Sequence, residues 1–372
     1  MQEIQAGQKL KLKLHGKPKT KTKGIFEIIE QRGEDAESAS FRVFLVRKDG
    51  ETGILRQVKR ENADAFIQRQ IDAAACLRRF YSDEEQKFLF SILPDRTVWR
   101  GDAGDWYLYS AKEPDVIRFD ECREQIRNDE NLNADQKAER ILQCIDSLVY
   151  DISLLHSKNI FHQDIKPQNF GFLRTGNLNR SIAYLFDIDT LYFADDPDYR
   201  NERQHTAGYW EGDINEPAAN TMEISAKTDI YSIGAVLWYA FSDSRLQYTG
   251  GGDPDKKLLA QSSLLQNMQC KTAVNYICEI IRRTLTPRKK RYESLEFLVN
   301  DLQSAITALQ PRVLVRADLT DATPVLTEED QAAADERADS ALRLKTQLLL
   351  FQHPLYETAS DAPVIWIIGV GK

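Results

Sequence analysis

Residues 162 to 169 combine three side-chain types that a phosphate-transfer site needs. In this stretch, HQDIKPQN, Asp164 is followed two residues later by Lys166 and three residues further on by Asn169. Phosphoryl transfer requires a carboxylate for the attacking hydroxyl, a cation beside the moving phosphate and oxygen ligands for magnesium. The sequence therefore offers one candidate for each of these tasks.

Two more acids lie at the end of a predicted strand. Phe186 precedes Asp187, Ile188 and Asp189, so an apolar run ends in two carboxylates. Magnesium prefers oxygen ligands, which makes Asp187 a candidate metal ligand. The alternative role for Asp187 is a strand-end cap.

The residues around these groups carry a family resemblance. The stretch from Leu154 to Asn169, LLHSKNIFHQDIKPQN, resembles the catalytic loop of protein kinases, and Phe186–Asp189 resembles the metal site that follows it. The chain is identified as a member of the protein kinase superfamily, similar to eukaryotic-like serine/threonine kinases but with a divergent small lobe. The resemblance implies ATP and Mg²⁺ as cofactors and a protein as substrate.

The resemblance also implies roles for individual residues. Asp164 would orient the substrate hydroxyl, and Lys166 would steady the transferred phosphate. Asn169 and Asp187 would bind the metal and, with Lys166, contact the nucleotide. His162 would support the loop structurally. Lysine at position 166 is typical of serine/threonine kinases rather than tyrosine kinases.

A later segment resembles the central helix of the family. In Lys227–Gly234, KTDIYSIG, the acid is Asp229, which the resemblance makes an acceptor of hydrogen bonds from the catalytic-loop backbone. Because an unpaired buried carboxylate is costly, Asp229 is predicted to have such donors around it. A simple helix N-cap is the alternative.

Residues Gly208–Asp213 resemble, in degraded form, the end of the activation segment of the family. Asp213 or Glu216 is expected to anchor this end to a cation late in the domain, either Arg291 or Lys290. A plain surface ion pair is the alternative.

The residue before Asp164 is Gln163. In active kinases an arginine commonly stands there and binds phosphate on the activation segment, which a neutral amide cannot do. The hypothesis is that activity does not depend on phosphorylation of this segment. Loss of activity after joint substitution of Thr190, Tyr199 and Thr206 would contradict it.

The first half of the chain departs from the family pattern. Phe26–Glu34 resembles the strand before a glycine-rich phosphate loop, and Gly33 is a candidate nucleotide contact. Asp35 and Arg42 stand where later glycines are expected, and their side chains would keep backbone amides away from phosphate. An ordinary hairpin is the alternative.

The phosphate-binding lysine of the family is displaced as well. Alignment of Gly50–Arg56 with the third strand of the family puts Arg56 at the lysine position. Lys59, three residues away, would face the other side of a regular strand and requires a bulge or an early strand end. The next helix offers Gln70, or Asp72, in place of a glutamate. A contact between Arg56 and Gln70 would be a hydrogen bond without an ion pair.

The elements that must position these residues fall into two groups. Strands are predicted over residues 25–30, 41–47, 53–58, 97–100 and 106–110, with one helix over 62–80. Long helices are predicted over 134–157, 226–241 and 273–285, interrupted by the strand-rich residues 161–193. This order predicts an α+β, protein-kinase-like fold with a small antiparallel sheet lobe, a larger helical lobe and a cleft between them.

Three regions are predicted. A small lobe with a basic N-terminal strand segment covers residues 1–110, a helical lobe covers 111–310, and an extension covers 311–372. In the extension, a helix is predicted from Thr327 to about Phe351 and an apolar strand over 363–370. The extension is a possible docking segment for a protein partner.

Composition limits the class of protein. The 372 residues are 42% apolar and 28% charged with a net charge of −8, which favours a globular protein and argues against nucleic acid binding. Lysines alternate along Lys9–Lys23, which predicts a solvated edge strand and loop; docking to an acidic partner or anionic surface is the alternative. The five cysteines include no CxxC pair, so a reducing cytoplasm is expected. No apolar run is long enough to span a membrane.

The favoured function is transfer of the ATP γ-phosphate to a serine or threonine hydroxyl of a protein. The departures at Arg56 and Gln70 leave two alternatives open. One is a pseudokinase that acts as a binding or scaffolding module, and the other is a kinase-fold enzyme that transfers AMP.

Overall fold

The computed structural model describes residues 4–15, 23–32, 41–59, 62–82, 97–110, 116–173, 183–196, 198–199, 205–214, 223–243, 248, 250 and 252–310. The predicted extension 311–372 and Gly33 therefore lie outside the described residues. Two parts follow each other along the chain, first a small β-rich lobe and then a larger helical lobe.

Antiparallel strands of the small lobe close into a barrel in the order β1-β2-β3-β4-β6-β5. Their bounds are β1 Lys9–Leu14, β2 Lys23–Arg32, β3 Phe41–Lys48, β4 Glu51–Val58, β5 Thr97–Gly101 and β6 Trp106–Ser110. The five strands predicted from alternation are confirmed, because each overlaps one of β2 to β6. The barrel interior is filled by apolar side chains such as Phe26, Phe44 and Leu55.

Strand β1 differs from its prediction as an edge strand. It pairs with β2 on one side and with β5 on the other, so it is the strand that closes the barrel. Leu10 and Leu12 point into the buried core while Lys9, Lys11 and Lys13 are exposed. Alternating lysines suit the solvated outer face of a closed barrel as well as an open edge, which is why the prediction of an edge was wrong.

Helix α1, Ala63–Phe80, packs against the outside of the barrel. Its residues Phe66 and Ile67 form an apolar cluster with Val58 of β4 and with Trp106 and Leu108 of β6. Apolar residues at helical spacing therefore attach the helix to one face of β4 and β6. The same strand face carries the small-lobe residues of the candidate site.

The helical lobe surrounds one extensive apolar core. Its helices are α2 Phe119–Asn128, α3 Ala134–His156, α4 Ala226–Phe241, α5 Pro254–Ala260, α6 Ser263–Asn267, α7 Lys271–Thr284 and α8 Leu295–Leu309. The predicted long helices coincide with α3, α4 and α7. Helix α4 is buried from Thr228 to Phe241 and passes close to α7, since a Cβ at Gly234 would clash with the Thr284 side chain.

Short strands interrupt the helical lobe where a strand-rich region is predicted. Strands β7 Val116–Arg118, β9 Phe170–Leu173 and β10 Ala183–Leu185 form one sheet. Strands β8 Ile160–Phe161 and β11 Tyr192–Phe193 form another. These pairs bring residues 160–170 beside residues 183–193. No helix among the described residues is long and apolar enough to cross a bilayer.

Candidate active site

The loop between β8 and β9 brings Asp164, Lys166 and Asn169 together. Lys166 Nζ donates to Asp164 Oδ2 at 2.8 Å, and Asn169 Nδ2 donates to the same oxygen at 3.0 Å. Asn169 Nδ2 also donates to the Asp164 backbone carbonyl at 2.8 Å. The three predicted residues therefore form one hydrogen-bonded cluster.

Thr206 completes this cluster from a distant part of the chain. Its hydroxyl donates to Asp164 Oδ1 at 2.5 Å, and Lys166 Nζ donates to the Thr206 hydroxyl at 2.8 Å. From the sequence, Thr206 was considered only as a phosphorylation site of the segment. No local spacing links it to Asp164, because 42 positions separate the two residues.

Electrostatics keep the Asp164 carboxyl ionised. Burial raises the pKa of Asp164, but the charge and hydrogen bond of Lys166 and the hydrogen bond of Thr206 outweigh burial. The net shift of this pKa is downward from the ordinary value of 3.8. Asp164 is therefore a carboxylate at neutral pH, the form that accepts a hydrogen bond from a hydroxyl group.

Strand pairing places Asn169 beside the segment that carries Asp187. Leu185 of β10 pairs with Phe170 of β9, and the Phe186 amide donates to the Asn169 carbonyl at 2.7 Å. Asp187 adopts a left-handed backbone conformation with φ 52° and ψ 55° and begins a short 3-10 turn over 188–190. Its side chain makes no capping hydrogen bond, which argues against the alternative of a simple cap.

The oxygens available at this point suit magnesium. Among the described residues, neither the Asp187 carboxylate nor the Asn169 amide oxygen takes part in a hydrogen bond, since Asn169 uses its nitrogen to bind Asp164. A carboxylate and an amide oxygen are ligands that Mg²⁺ accepts when phosphate and water fill the remaining positions. Described His, Cys, Asp and Glu side chains form no cluster of three that could hold a metal alone.

Asp229 of helix α4 holds the backbone of the loop 162–169. It is completely buried, and its two oxygens accept hydrogen bonds from the backbone amides of His162 and Gln163, each at 2.8 Å. His156 Nε2 lies 2.8 Å from Asp229 Oδ2. The N-cap of α4 is Ser225, so the structure gives no support to the alternative in which Asp229 caps the helix.

Gln163 binds the backbone of the following segment. Its side-chain amide donates to the Thr190 carbonyl at 2.8 Å, and its own backbone has a φ of 66°. The Thr190 hydroxyl donates to the Asp187 carbonyl at 2.9 Å and lies 3.4 Å from His162 Nδ1. The buried side chains of His162 and Gln163 therefore connect the loop 162–169 to the 3-10 turn after Asp187.

Glu211, near the end of the described stretch 205–214, is anchored by two arginines. Glu211 is buried and binds Arg291 Nη1 and Arg288 Nη1, each at 2.7 Å. The predicted cation Arg291 is thus engaged by an acid, Glu211, that the sequence did not single out. The Asp213 side chain and Glu216 lie outside the described parts of the chain, so their predicted contact stays a prediction.

On the small-lobe side, Arg56 lies on the strand face that α1 covers. It pairs with Leu108 of β6, which belongs to the apolar cluster beneath α1. Strand pairing of β4 with β3 runs without a bulge to Val58, so Lys59 follows the strand end. Neighbouring residues on paired strands share a face, which places Arg56 on the same face as the α1 cluster, whereas alternation does not fix the face of Lys59 beyond the strand end.

Gln70 is bound differently from the expectation. Its side-chain amide donates to Asp189 Oδ1 at 2.7 Å, and both residues are buried. Among the described residues, no hydrogen bond joins Gln70 to Arg56, so the predicted contact is corrected. The physical reason is that Asp189 offers a buried carboxylate acceptor to the α1 amide, a stronger partner than a second group of donors. Asp72 binds Gln68 on the exposed side of α1.

Comparisons with known proteins agree with this geometry at the level of the fold. No protein-family model matches the chain. Over 116 residues the chain is 29% identical to a protein of Acanthamoeba polyphaga mimivirus that is named as a serine/threonine-protein kinase by inference. That match covers 29% of this chain and 37% of the viral protein, so it spans little more than a third of that relative.

A solved structure extends the similarity over most of the chain. The kinase domain of a Toxoplasma gondii specific rhoptry antigen has a TM-score of 0.59 with 13% sequence identity. The alignment covers 83% of this chain and 89% of that chain. The fold is therefore a two-lobed protein kinase fold, as predicted. The prediction of a protein-kinase-like fold from the sequence is confirmed by this similarity.

Proposed function

We propose that this protein transfers the γ-phosphate of ATP to a serine or threonine hydroxyl of a protein substrate. The single observation that carries the proposal is the cluster in which Lys166, Asn169 and Thr206 all bind an ionised Asp164. A loop with only a structural role has no need for an ionised carboxylate held beside an ammonium and beside two oxygens suited to magnesium.

Each residue has a task that its position supports. Asp164 accepts the hydrogen bond of the substrate hydroxyl and orients its oxygen, and Lys166 neutralises charge on the phosphate. Asn169 and Asp187 would hold Mg²⁺, which supplies charge neutralisation to the triphosphate when it is bound. Arg56 is the candidate contact for the nucleotide phosphates from the small lobe.

The contacts of the hydroxyl-bearing residues support activity without phosphorylation of the segment. Thr190 is buried and binds Asp187, and Thr206 binds Asp164 and Lys166. Tyr199 packs against Phe193 with ring centroids 4.5 Å apart, and burial raises its pKa. All three groups are engaged without a phosphate.

A pseudokinase is the second candidate function. The specific observation in its favour is that Gln70 binds Asp189, so the hydrogen bond expected between α1 and Arg56 is replaced. A weaker hold on the nucleotide would leave a protein that binds ATP and magnesium but turns over slowly. Activity and binding must therefore be measured separately.

The test measures label incorporation from γ-labelled ATP with Mg²⁺, and MgATP binding by calorimetry, for the unmodified chain and two variants. Asp164→Asn is expected to lower transfer by about 10²- to 10⁴-fold with little change in MgATP binding, because only the carboxylate is removed. Asp187→Asn is expected to weaken binding that depends on Mg²⁺. The matched control is Asp195→Asn, an exposed acid that binds Asn159.

The outcomes separate the candidates. Equal and negligible incorporation by the unmodified chain and both variants, with MgATP binding retained, would favour the pseudokinase. Incorporation of label from α-labelled ATP instead of γ-labelled ATP would show AMP transfer. Loss of activity in the control variant as well would mean that the assay reports stability rather than chemistry.

A further inference from the structure

The segment that follows Asp187 is attached to helix α1 at two buried carboxylates. The first is Asp189, whose Oδ1 accepts a hydrogen bond from Gln70 Nε2 at 2.7 Å. Arg69 Nε lies 3.8 Å from Asp189 Oδ2. Asp189 has only 3% of its surface exposed, so these groups stabilise a carboxylate that water does not reach.

The second attachment lies two turns later on α1. Asp196 Oδ2 accepts hydrogen bonds from Arg79 Nη2 at 2.6 Å and from the Cys76 thiol at 3.1 Å. Burial, with the Asp196 hydrogen bond, raises the pKa of the Cys76 thiol to about 12, so this cysteine stays a neutral donor. Helix α1 is thus held along residues 70 to 79 by the chain segment 189–196.

The first attachment connects directly to the metal side of the candidate site. Asp189 lies within the 3-10 turn 188–190, and this turn begins at Asp187, whose backbone is left-handed. Thr190 closes the turn on the Asp187 carbonyl and is itself bound by Gln163, the neighbour of Asp164. A left-handed conformation is unfavourable for a residue with a Cβ, so surrounding contacts must hold it.

We propose that Gln70 and Asp189 are positioning residues that hold Asp187 in its metal-binding conformation. Helix α1 sets this conformation through a direct hydrogen bond to the turn. No phosphate on the segment is required, because the segment supplies its own anchoring carboxylates. Arg69 of α1 lies beside Asp189, and Arg79 of the same helix forms an ion pair with Asp196.

The inference rests on the proposed function only for its activity measurement. The test uses the full chain with Gln70→Glu, which places two carboxylates against each other in the buried site. The double variant Gln70→Glu with Asp189→Asn restores one donor and one acceptor. Gln68→Glu is the matched control, because Gln68 makes an equivalent hydrogen bond to Asp72 on the exposed side of the same helix.

Three quantities are measured: amide hydrogen exchange over 187–196, the Mg²⁺ concentration that gives half-maximal ATP binding, and the phosphate transfer rate. Gln70→Glu is expected to speed exchange and to raise the required Mg²⁺ concentration by about tenfold, because a buried like-charge pair replaces a hydrogen bond. The double variant is expected to recover most of the slow amide exchange and of the low Mg²⁺ requirement. Gln68→Glu is expected to match the unmodified chain.

Several results would overturn the inference. One is a Gln70→Glu variant that behaves like Gln68→Glu. Another is a double variant that regains thermal stability but not its Mg²⁺ dependence, since Gln70 would then be merely structural. If Gln70→Glu does not fold, Gln70→Leu removes the hydrogen bond without adding charge and is judged by the same measurements. If the unmodified chain transfers no phosphate, the proposed function fails, whereas hydrogen exchange over 187–196 still decides this inference.

Discussion

The loop 162–169 and helix α1 both contribute buried polar side chains to the candidate site. The hydrogen-bond partners of the loop side chains are close in sequence, whereas the partner of the α1 side chain is distant. Lys166 and Asn169 bind Asp164, only two and five positions away. Gln70 binds Asp189 across 119 positions. The loop therefore carries most of its geometry in its own sequence, whereas the α1 side acquires its geometry only when the two lobes pack together.

This difference explains how one side can follow a family motif while the other changes. A loop whose residues bind each other tolerates few replacements, because each side chain donates to or accepts from another residue a few positions away. An attachment between distant segments can be rebuilt by a paired change, such as an amide at position 70 with an acid at position 189. The comparison predicts that removing the buried carboxylate that supports the loop costs more stability than removing a core side chain from the small lobe.

The largest effect is expected from Asp229→Asn. The substitution puts an amide nitrogen among three donors, from the His162 and Gln163 backbones and the His156 ring. Stability should fall by about 3 to 5 kcal/mol, measured by chemical denaturation, and phosphate transfer should be lost. Asp195→Asn is the control for a change from acid to amide at an exposed position. If Asp229→Asn lost less stability than Leu12→Ala, the comparison between the loop and the small lobe would fail.

A smaller effect is expected from Leu12→Ala in the closing strand of the barrel. Leu12 is almost fully buried, so removing its side chain should cost about 2 to 4 kcal/mol. Lys11, the exposed residue before Leu12, provides the control: Lys11→Ala should change stability by less than about 0.5 kcal/mol. Thermal unfolding measures both. If the two variants are equally stable, β1 does not contribute to the barrel core in solution.

The smallest effect is expected from Thr206→Val. Thr206 lowers the pKa of Asp164 through a hydrogen bond, so its loss should raise that pKa while burial remains. Because the ionised form accepts the hydrogen bond of the hydroxyl, the acid limb of the pH–rate profile should move to higher pH. Thr206→Ser keeps the hydroxyl and should leave the limb in place. A shift to lower pH would contradict the assigned hydrogen bond.

The parts of the fold that could be predicted are those with local signals. Alternation located strands β2 to β6, and helical spacing located α1, α3, α4 and α7. The closing role of β1 could not be predicted, because Leu10 and Leu12 facing inward are compatible with an edge strand or a barrel strand. That distinction depends on whether β5 reaches the other side of β1.

The candidate site divides in the same way. Asp164, Lys166 and Asn169 are recognisable because their spacing is fixed within one loop. Thr206 and Glu211 were missed in these roles because each meets its partner through the path of an irregular segment. Glu211 lies in a short 3-10 turn, and no periodicity in the sequence marks it as the partner of Arg288 and Arg291.

Barrel closure has a consequence for how the chain folds as it is made. Strand β1 is synthesised before β5, and Leu12 cannot meet its partner Gly101 until β5 has been synthesised. Until then, β1 has one unpaired edge and two exposed leucines, the features that favour pairing with another chain. The exposed lysines beside those leucines repel a second copy of the same strand and so protect the nascent small lobe from aggregation before closure.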